Sequence, residues 1–175
     1  MKLVLNATPL IHLTRAGLER IFSLLKEVGI EIFTTSAVLR EVVEKGRHMP
    51  DAGVVKALVE RGVIQVVEPA EKEFMTFLRR ISTGPLLPLH DGEAEVLALA
   101  RELKAVAIVD EKAARQVGKI TGIEVHGSLY LLIVLYRKGK MTKREVIDGF
   151  KSMLKTGYRI SPRDHSLIME ELERI

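Results

Sequence analysis

HDGEAEVLALARELKAVAIVDEKAARQ, running from His90 to Gln116, is the stretch around which the rest of the chain can be arranged. Three carboxylates, Asp91, Glu93 and Glu95, stand at its start. Apolar residues then fall on nearly every side of a helix, which marks the helix as buried. The chain next becomes a short, largely apolar run, Val106 to Val109, that stops at Asp110. Such a run, closed by a polar residue, reads as a buried strand. A buried helix feeding a buried strand, with acids at the start of one and the end of the other, describes half of an open α/β sheet. Ligands in such sheets sit outside the carboxyl ends of the strands. A site of oxygen ligands is the first expectation.

Upstream, Lys2 to Leu5 reads as a strand ending at Asn6, and Thr8-Pro9 as a hydroxyl-capped helix start. A second helix runs from Leu18 to Val28, and Glu31 to Thr34 forms strand two. Ser36 caps the helix Ala37 to Glu44, whose apolar face of Val38, Val42 and Val43 is bordered by Glu41. Gly46 to Pro50 is a loop, and Asp51 caps a helix to Arg61. Strand three is Val63 to Val67, and a polar helix runs from Pro69 to Arg80. STGPLLP, Ser82 to Pro88, is a loop inside one domain.

Downstream, Lys112 to Ile120 is helical and ends near Gly122. Glu124-Val125 is a short fifth strand, and Ser128 to Arg137 a helix. Thr142 and Glu145 form a capping box, and Ser161-Pro162 opens the last helix. Strands alternating with helices imply right-handed crossovers and a mostly parallel sheet. The fold class is α/β: a three-layer sandwich, with the sheet flanked by helices. Residues 1–175 make one domain, 139–175 being a C-terminal helical extension.

The 175 residues are enough to bury a real core. With no cysteine, disulfides, zinc–thiolate sites and thiol chemistry are excluded. The five histidines lack metal-ligand spacing, and neither GxGxxG nor GKS/GKT appears. Aromatic residues are only 5%, which argues against base-stacking platforms. No signal peptide is expected, and no apolar run approaches the ~20 residues of a membrane span. A cytoplasmic protein without membrane contact follows. The net charge of +4 suits a polyanionic partner. Abundant Lys and Glu, with one Asn and two Gln, also read as a thermophile's composition.

In a parallel sheet, Asn6 and Asp110 lie just past strand ends on one edge. Glu93 shares a helix face with Val96, Leu97 and Ala100 and so points inward. Glu95 lies about 200° round the helix and cannot face the same site. Glu41 comes from a third segment, so three acids can meet. Carboxylates side by side require a cation, and hard oxygen ligands favour Mg²⁺ or Mn²⁺. The plain alternative is that acids in a first turn serve the helix dipole. Asp91 reads as a cap, and Glu95 and Glu111 as solvated. Lys112, Arg115 and Lys119 form a stripe that either holds RNA phosphates or is an ordinary solvated face. A denser basic patch comprises Arg137, Lys138, Lys140, Lys143 and Arg144.

NATPLI (Asn6 to Ile11), AVLREV (Ala37 to Val42), GEAE (Gly92 to Glu95) and VDEKAAR (Val109 to Arg115) together resemble the PIN-like nuclease superfamily. HGSLYLL (His126 to Leu132) and GYRIS (Gly157 to Ser161) resemble one subfamily of unassigned function. The resemblance implies a sheet of order 3-2-1-4-5 and a Mg²⁺- or Mn²⁺-dependent ribonuclease. It also admits a toxin of a toxin–antitoxin pair, with RNA as substrate and a small antitoxin as partner. A homodimer is left open. The family's four acidic positions fall on Asn6, Glu41, Glu93 and Asp110, the last three matching and holding the ion. Asn6 departs from the pattern: its amide oxygen brings no charge, which fits a weakened or inactive nuclease. Thr8 falls on the family's hydroxyl position and is read as a cap. The competing expectation is a catalytically inactive module that binds RNA or protein.

Overall fold

The computed structural model describes residues 1–45, 50–82 and 88–174. The loops expected at Gly46–Pro50 and Ser82–Pro88 fall largely outside these. Five strands form one sheet in the order β3-β2-β1-β4-β5: β1 (Lys2–Leu5), β2 (Glu31–Thr34), β3 (Gln65–Val66), β4 (Val106–Ile108) and β5 (Val125–His126). Every pairing is parallel. The expected order and strand direction both hold.

Ten helices are described: α1 (Ala7–Arg15), α2 (Arg20–Glu27), α3 (Ser36–Lys45), α4 (Pro50–Glu60), α5 (Lys72–Ser82), α6 (Asp91–Leu103), α7 (Lys112–Thr121), α8 (Leu129–Arg137), α9 (Lys143–Lys155) and α10 (Pro162–Arg174). The stretch from His90 to Gln116 supplies the centre. Val96, Leu97, Ala98 and Leu99 of α6 are all fully buried, and α6 packs on β1 and β4 and between α3, α5 and α7. Small alanines let neighbours approach an all-round buried helix, and alanine is also the best helix former.

Several boundaries differ from expectation for local reasons. Val63 and Ile64 are buried, but their amides bond to Leu58 O at the end of α4, so β3 keeps only two residues. Pro69 does not start α5; the Ala70 amide is taken by the Glu102 carboxylate instead. Leu18 N bonds back to Leu13 O and closes α1, which delays α2 to Arg20. Thr35, not Ser36, offers its hydroxyl to the first turn of α3, at Val38 N. Asp51 lies inside the first turn of α4, almost fully buried, and takes Arg15 Nε at 3.0 Å. The capping box of Thr142 and Glu145 is present at α9.

Gly118 lets α7 lie directly on β5: a Cβ there would stand 2.2 Å from Val125 Cγ2. At the other end of the chain, Val146, Phe150 and Met153 of α9 are fully buried, and α9 packs on α8 and α1. Among the described residues, no helix is long and apolar enough to cross a membrane.

Candidate active site

The parallel register decides which residues meet at the strand ends. Leu5 pairs with Ile108, so Asn6 and the Val109-Asp110 step leave the sheet side by side. The Asn6 amide fixes this by bonding Ile108 O at 3.0 Å. Next to them Thr34 Oγ1 donates to Leu5 O, tying β2 to the same edge.

Asn6 is 4% exposed, and its two side-chain atoms have different fates. Nδ2 donates to Glu111 Oε2 at 3.2 Å. Oδ1 is buried with no hydrogen-bond partner. It faces Gly92, at the start of α6: a Cβ on Gly92 would lie 3.6 Å from Asn6 Oδ1 and 3.6 Å from Glu41 Oε2. Glycine therefore keeps open the space that these two oxygens border, one from β1's end and one from α3.

Glu93 is also 4% exposed, as its helix face required. Its Oε2 accepts from His90 N at 2.8 Å, which closes the α6 terminus. Burial holds its carboxyl above the usual carboxylate range; the His90 amide opposes this, while the charges of Glu111 and Glu41 reinforce it. Asp110 is pinned from the other side. Ser128 N donates to Oδ1 at 2.8 Å, Tyr158 Oη donates to Oδ1 at 3.2 Å, and the Ser128 hydroxyl donates to Oδ2. Glycine at 127 permits that approach, since a Cβ there would stand 3.0 Å from Asp110 Oδ1.

Two acids read as solvated are placed otherwise. Glu111 is half-buried and turned into the site, accepting from Asn6 Nδ2 and from the Thr8 hydroxyl. Thr8 is therefore no helix cap; α1 begins two residues earlier than expected, at Ala7, with Asn6 at the cap position. Glu95 is half-buried, with Oε2 enclosed and without a hydrogen bond. Asp91 does not cap α6. It is exposed, 3.8 Å from Arg79, and His90 holds the cap position.

His12 and Tyr158 were not singled out from sequence as site residues. Their rings meet edge to face at 5.2 Å beside Asp110 and Glu111. Burial lowers the pKa of His12, against the charge of Asp110. The only sequence signal for Tyr158 was its place in GYRIS. His126 is structural, stacked on Tyr130 and bonded to Glu124. Of the basic stripe, Lys112 and Arg115 border a groove beside Asp110, and Lys119 does not.

Chemically this is an oxygen-rich end of a sheet, with Asn6, Glu41 and Glu93 on one side and Asp110 and Glu111 on the other. Among the described residues, no three acids or histidines stand together as a group that could hold a metal ion as they are placed. In kind, the oxygens at this end of the sheet are those that a hard divalent ion takes. A buried acceptor without a donor is costly, and Asn6 Oδ1 beside Glu41 is an oxygen that such an ion would satisfy.

Comparisons with known proteins bear on the family and the fold. Over 99 residues the chain is 32% identical to the Endoribonuclease Nob1 of Pyrococcus abyssi (strain GE5 / Orsay), a match taking in 55% of this chain. The chain spans only 58% of that relative's length. The fold is similar to that in the 2.2 Å structure of VapBC-1 from nontypeable Haemophilus influenzae. The TM-score is 0.54 at 16% identity, over 73% of this chain and 98% of that one. A family model described as a PIN domain matches residues 2–174. With that match spanning nearly every residue, and with the sheet in the order expected of it, the chain belongs to the PIN domain family.

Proposed function

We propose that this chain is a Mg²⁺- or Mn²⁺-dependent ribonuclease that hydrolyses RNA phosphodiester bonds. The observation that carries the reading is the unpartnered, buried Asn6 Oδ1 facing Glu41 across Gly92, with Glu93 buried alongside. Glu41, Glu93 and Asp110 would hold the ion, with the Asn6 amide oxygen beside them. A bound divalent ion supplies Lewis acidity, neutralising phosphate charge and acidifying water at the site.

The protein's own part is positioning. Ser128 and Tyr158 fix the Asp110 carboxylate by three hydrogen bonds. Asn6 and Thr8 fix Glu111 by two. Lys112 and Arg115 stand where the backbone of an RNA strand would pass, with Lys119 further along α7. The similarity to an endoribonuclease supports RNA as the substrate. A narrower form of the proposal makes the chain a cytoplasmic toxin, alone or as a homodimer, neutralised by a small antitoxin encoded next to it.

Asn6 favours a second reading, an inactive PIN domain that binds RNA or a protein. The two separate in one assay: a mixed RNA pool is incubated with Mn²⁺, with EDTA, and with Glu41→Gln in Mn²⁺. Cleavage confined to the wild type in Mn²⁺ supports the nuclease. RNA retained but uncut under all three conditions supports the binding module.

A further inference from the structure

Beside the carboxylates, a groove of about 500 Å³ opens between the first turn of α7 and the segment leading into α10. Its walls carry Lys112 and Arg115 on one side, Arg159 and Ser161 on the other, with Asp110 and Tyr158 at the junction. All three cations are exposed, and among the described residues none is ion-paired with a carboxylate. Asp110, bound by the neutral donors Ser128 and Tyr158, lines the same groove as one carboxylate against three cations, and Glu111 turns away to Asn6 and Thr8. Three unpaired like charges converging on one concavity focus a positive potential and repel one another when it is empty. An anion relieves that repulsion. The volume lies in the ~300–1,000 Å³ range of clefts that enclose a small organic group, so it holds more than a bare ion.

We propose that this groove is the backbone subsite of an RNA strand. Arg159, Arg115 and Lys112 each take one of the successive phosphates that pass the carboxylates, and the segment from Tyr158 to Ser161 is a working wall of the site. The proposal rests on the ribonuclease reading for the identity of the strand. It extends that reading by giving the C-terminal segment a substrate role and by naming Arg159, which lies far from α7 in sequence. Tyr158 is the joint. It is 8% exposed, and its hydroxyl reaches Asp110 while its ring packs on His12. The patch at Arg137 to Arg144 is a weaker candidate, because Lys140 already pairs with Glu27 and Arg144 with Asp148.

The test is fluorescence anisotropy of a labelled single-stranded oligouridylate in EDTA, so that no cleavage intervenes, across a salt series. Each phosphate contact to a single strand contributes about 0.7 to the slope of log affinity against log salt. Arg159→Ala is expected to lower the slope by about 0.7, and Lys112→Ala with Arg115→Ala by about 1.4. Arg159→Lys should keep it, and Lys143→Ala should leave it unchanged. An unchanged slope in both alanine variants, with wild-type melting temperatures, overturns the groove. So does competition showing that inorganic phosphate binds there while the oligonucleotide does not. The ribonuclease reading fails separately: RNA held with the expected slopes but uncut in Mn²⁺ leaves the groove standing and removes the nuclease.

Discussion

Gly92→Ala tests the candidate site with two effects of opposite sign. Gly92 lies in the first turn of α6, buried between Val38, Asn6 and Glu41. The added methyl would stand 3.4 Å from Val38 Cγ2 and 3.6 Å from each of the two oxygens, ordinary contact distances that force nothing to move. Without metal, alanine should therefore stabilise the helix by about 0.5–1 kcal/mol, because glycine loses more backbone entropy on folding. For a chain of this size that raises the melting temperature by roughly 1–4 °C. The same methyl fills the space that Asn6 Oδ1 and Glu41 Oε2 border, and so weakens a cation held there. If Kd rises tenfold, stabilisation at 100 times the wild-type Kd falls from about 2.7 to about 1.4 kcal/mol. The metal-induced shift in melting temperature should then shrink by roughly 3–5 °C. Thermal melts of both proteins in EDTA and in graded Mn²⁺ read both effects. A Mn²⁺ shift identical in the two proteins would refute the placement of the ion between Asn6 and Glu41.

Glu93→Gln bears on the raised pKa of a buried carboxyl. A carboxyl raised in the fold contributes stability that is full below its unfolded pKa and is lost as pH rises through its folded one. In EDTA, the variant should therefore gain on wild type as pH rises from 4 toward 8, and a parallel pair of melting curves would count against the burial argument. Gly118→Ala should destabilise by about 1–3 kcal/mol through overpacking against Val125; denaturant melts that are unchanged, or stabler, would show that α7 is not held so close. Asn6→Asp sets a carboxylate against Glu111, so the metal-free protein should melt lower while Mn²⁺ stabilises it more. Adding Glu111→Gln should restore the metal-free melting temperature, and additivity of the two changes in a double-mutant cycle would deny their coupling.

The sheet was legible because its strands announce themselves locally. The runs Lys2–Leu5 and Val106–Ile108 are short and apolar and end at polar residues, and the same ends fix where the chain leaves the sheet. Glu93 was legible too, since helical periodicity alone puts it on the face of Val96 and Leu97. What could not be read were side chains whose direction depends on a distant partner. Thr8 looks like a cap in sequence, and only the β1–β4 register brings it to Glu111, 103 positions away. Tyr158 reaches Asp110 across 48 positions because α9 buries Phe150 and Met153 and delivers the following segment to the strand ends. The edge of α5 shows the same limit. Its start was set by a carboxylate of α6 and not by Pro69.

Asn6 shows how far that limit changes the chemistry. Read alone, asparagine at the end of β1 is a lost charge, and a lost charge suggests a lost ion. In the fold its Nδ2 is the donor that holds Glu111, a role that a carboxylate could not fill without a shared proton. The residue thus exchanges one negative charge of its own for a fixed position of another. Glu41, Glu93, Asp110 and Glu111 keep four carboxylates at this end of the sheet, and the Asn6 carbonyl oxygen remains buried and unpartnered among them. Mutual repulsion between Glu93 and its neighbours is the cost of that arrangement in the metal-free protein. An amide that anchors one of those acids through Nδ2 while its own carbonyl oxygen stays unpartnered is a physical reason to propose that asparagine here is compatible with cation binding.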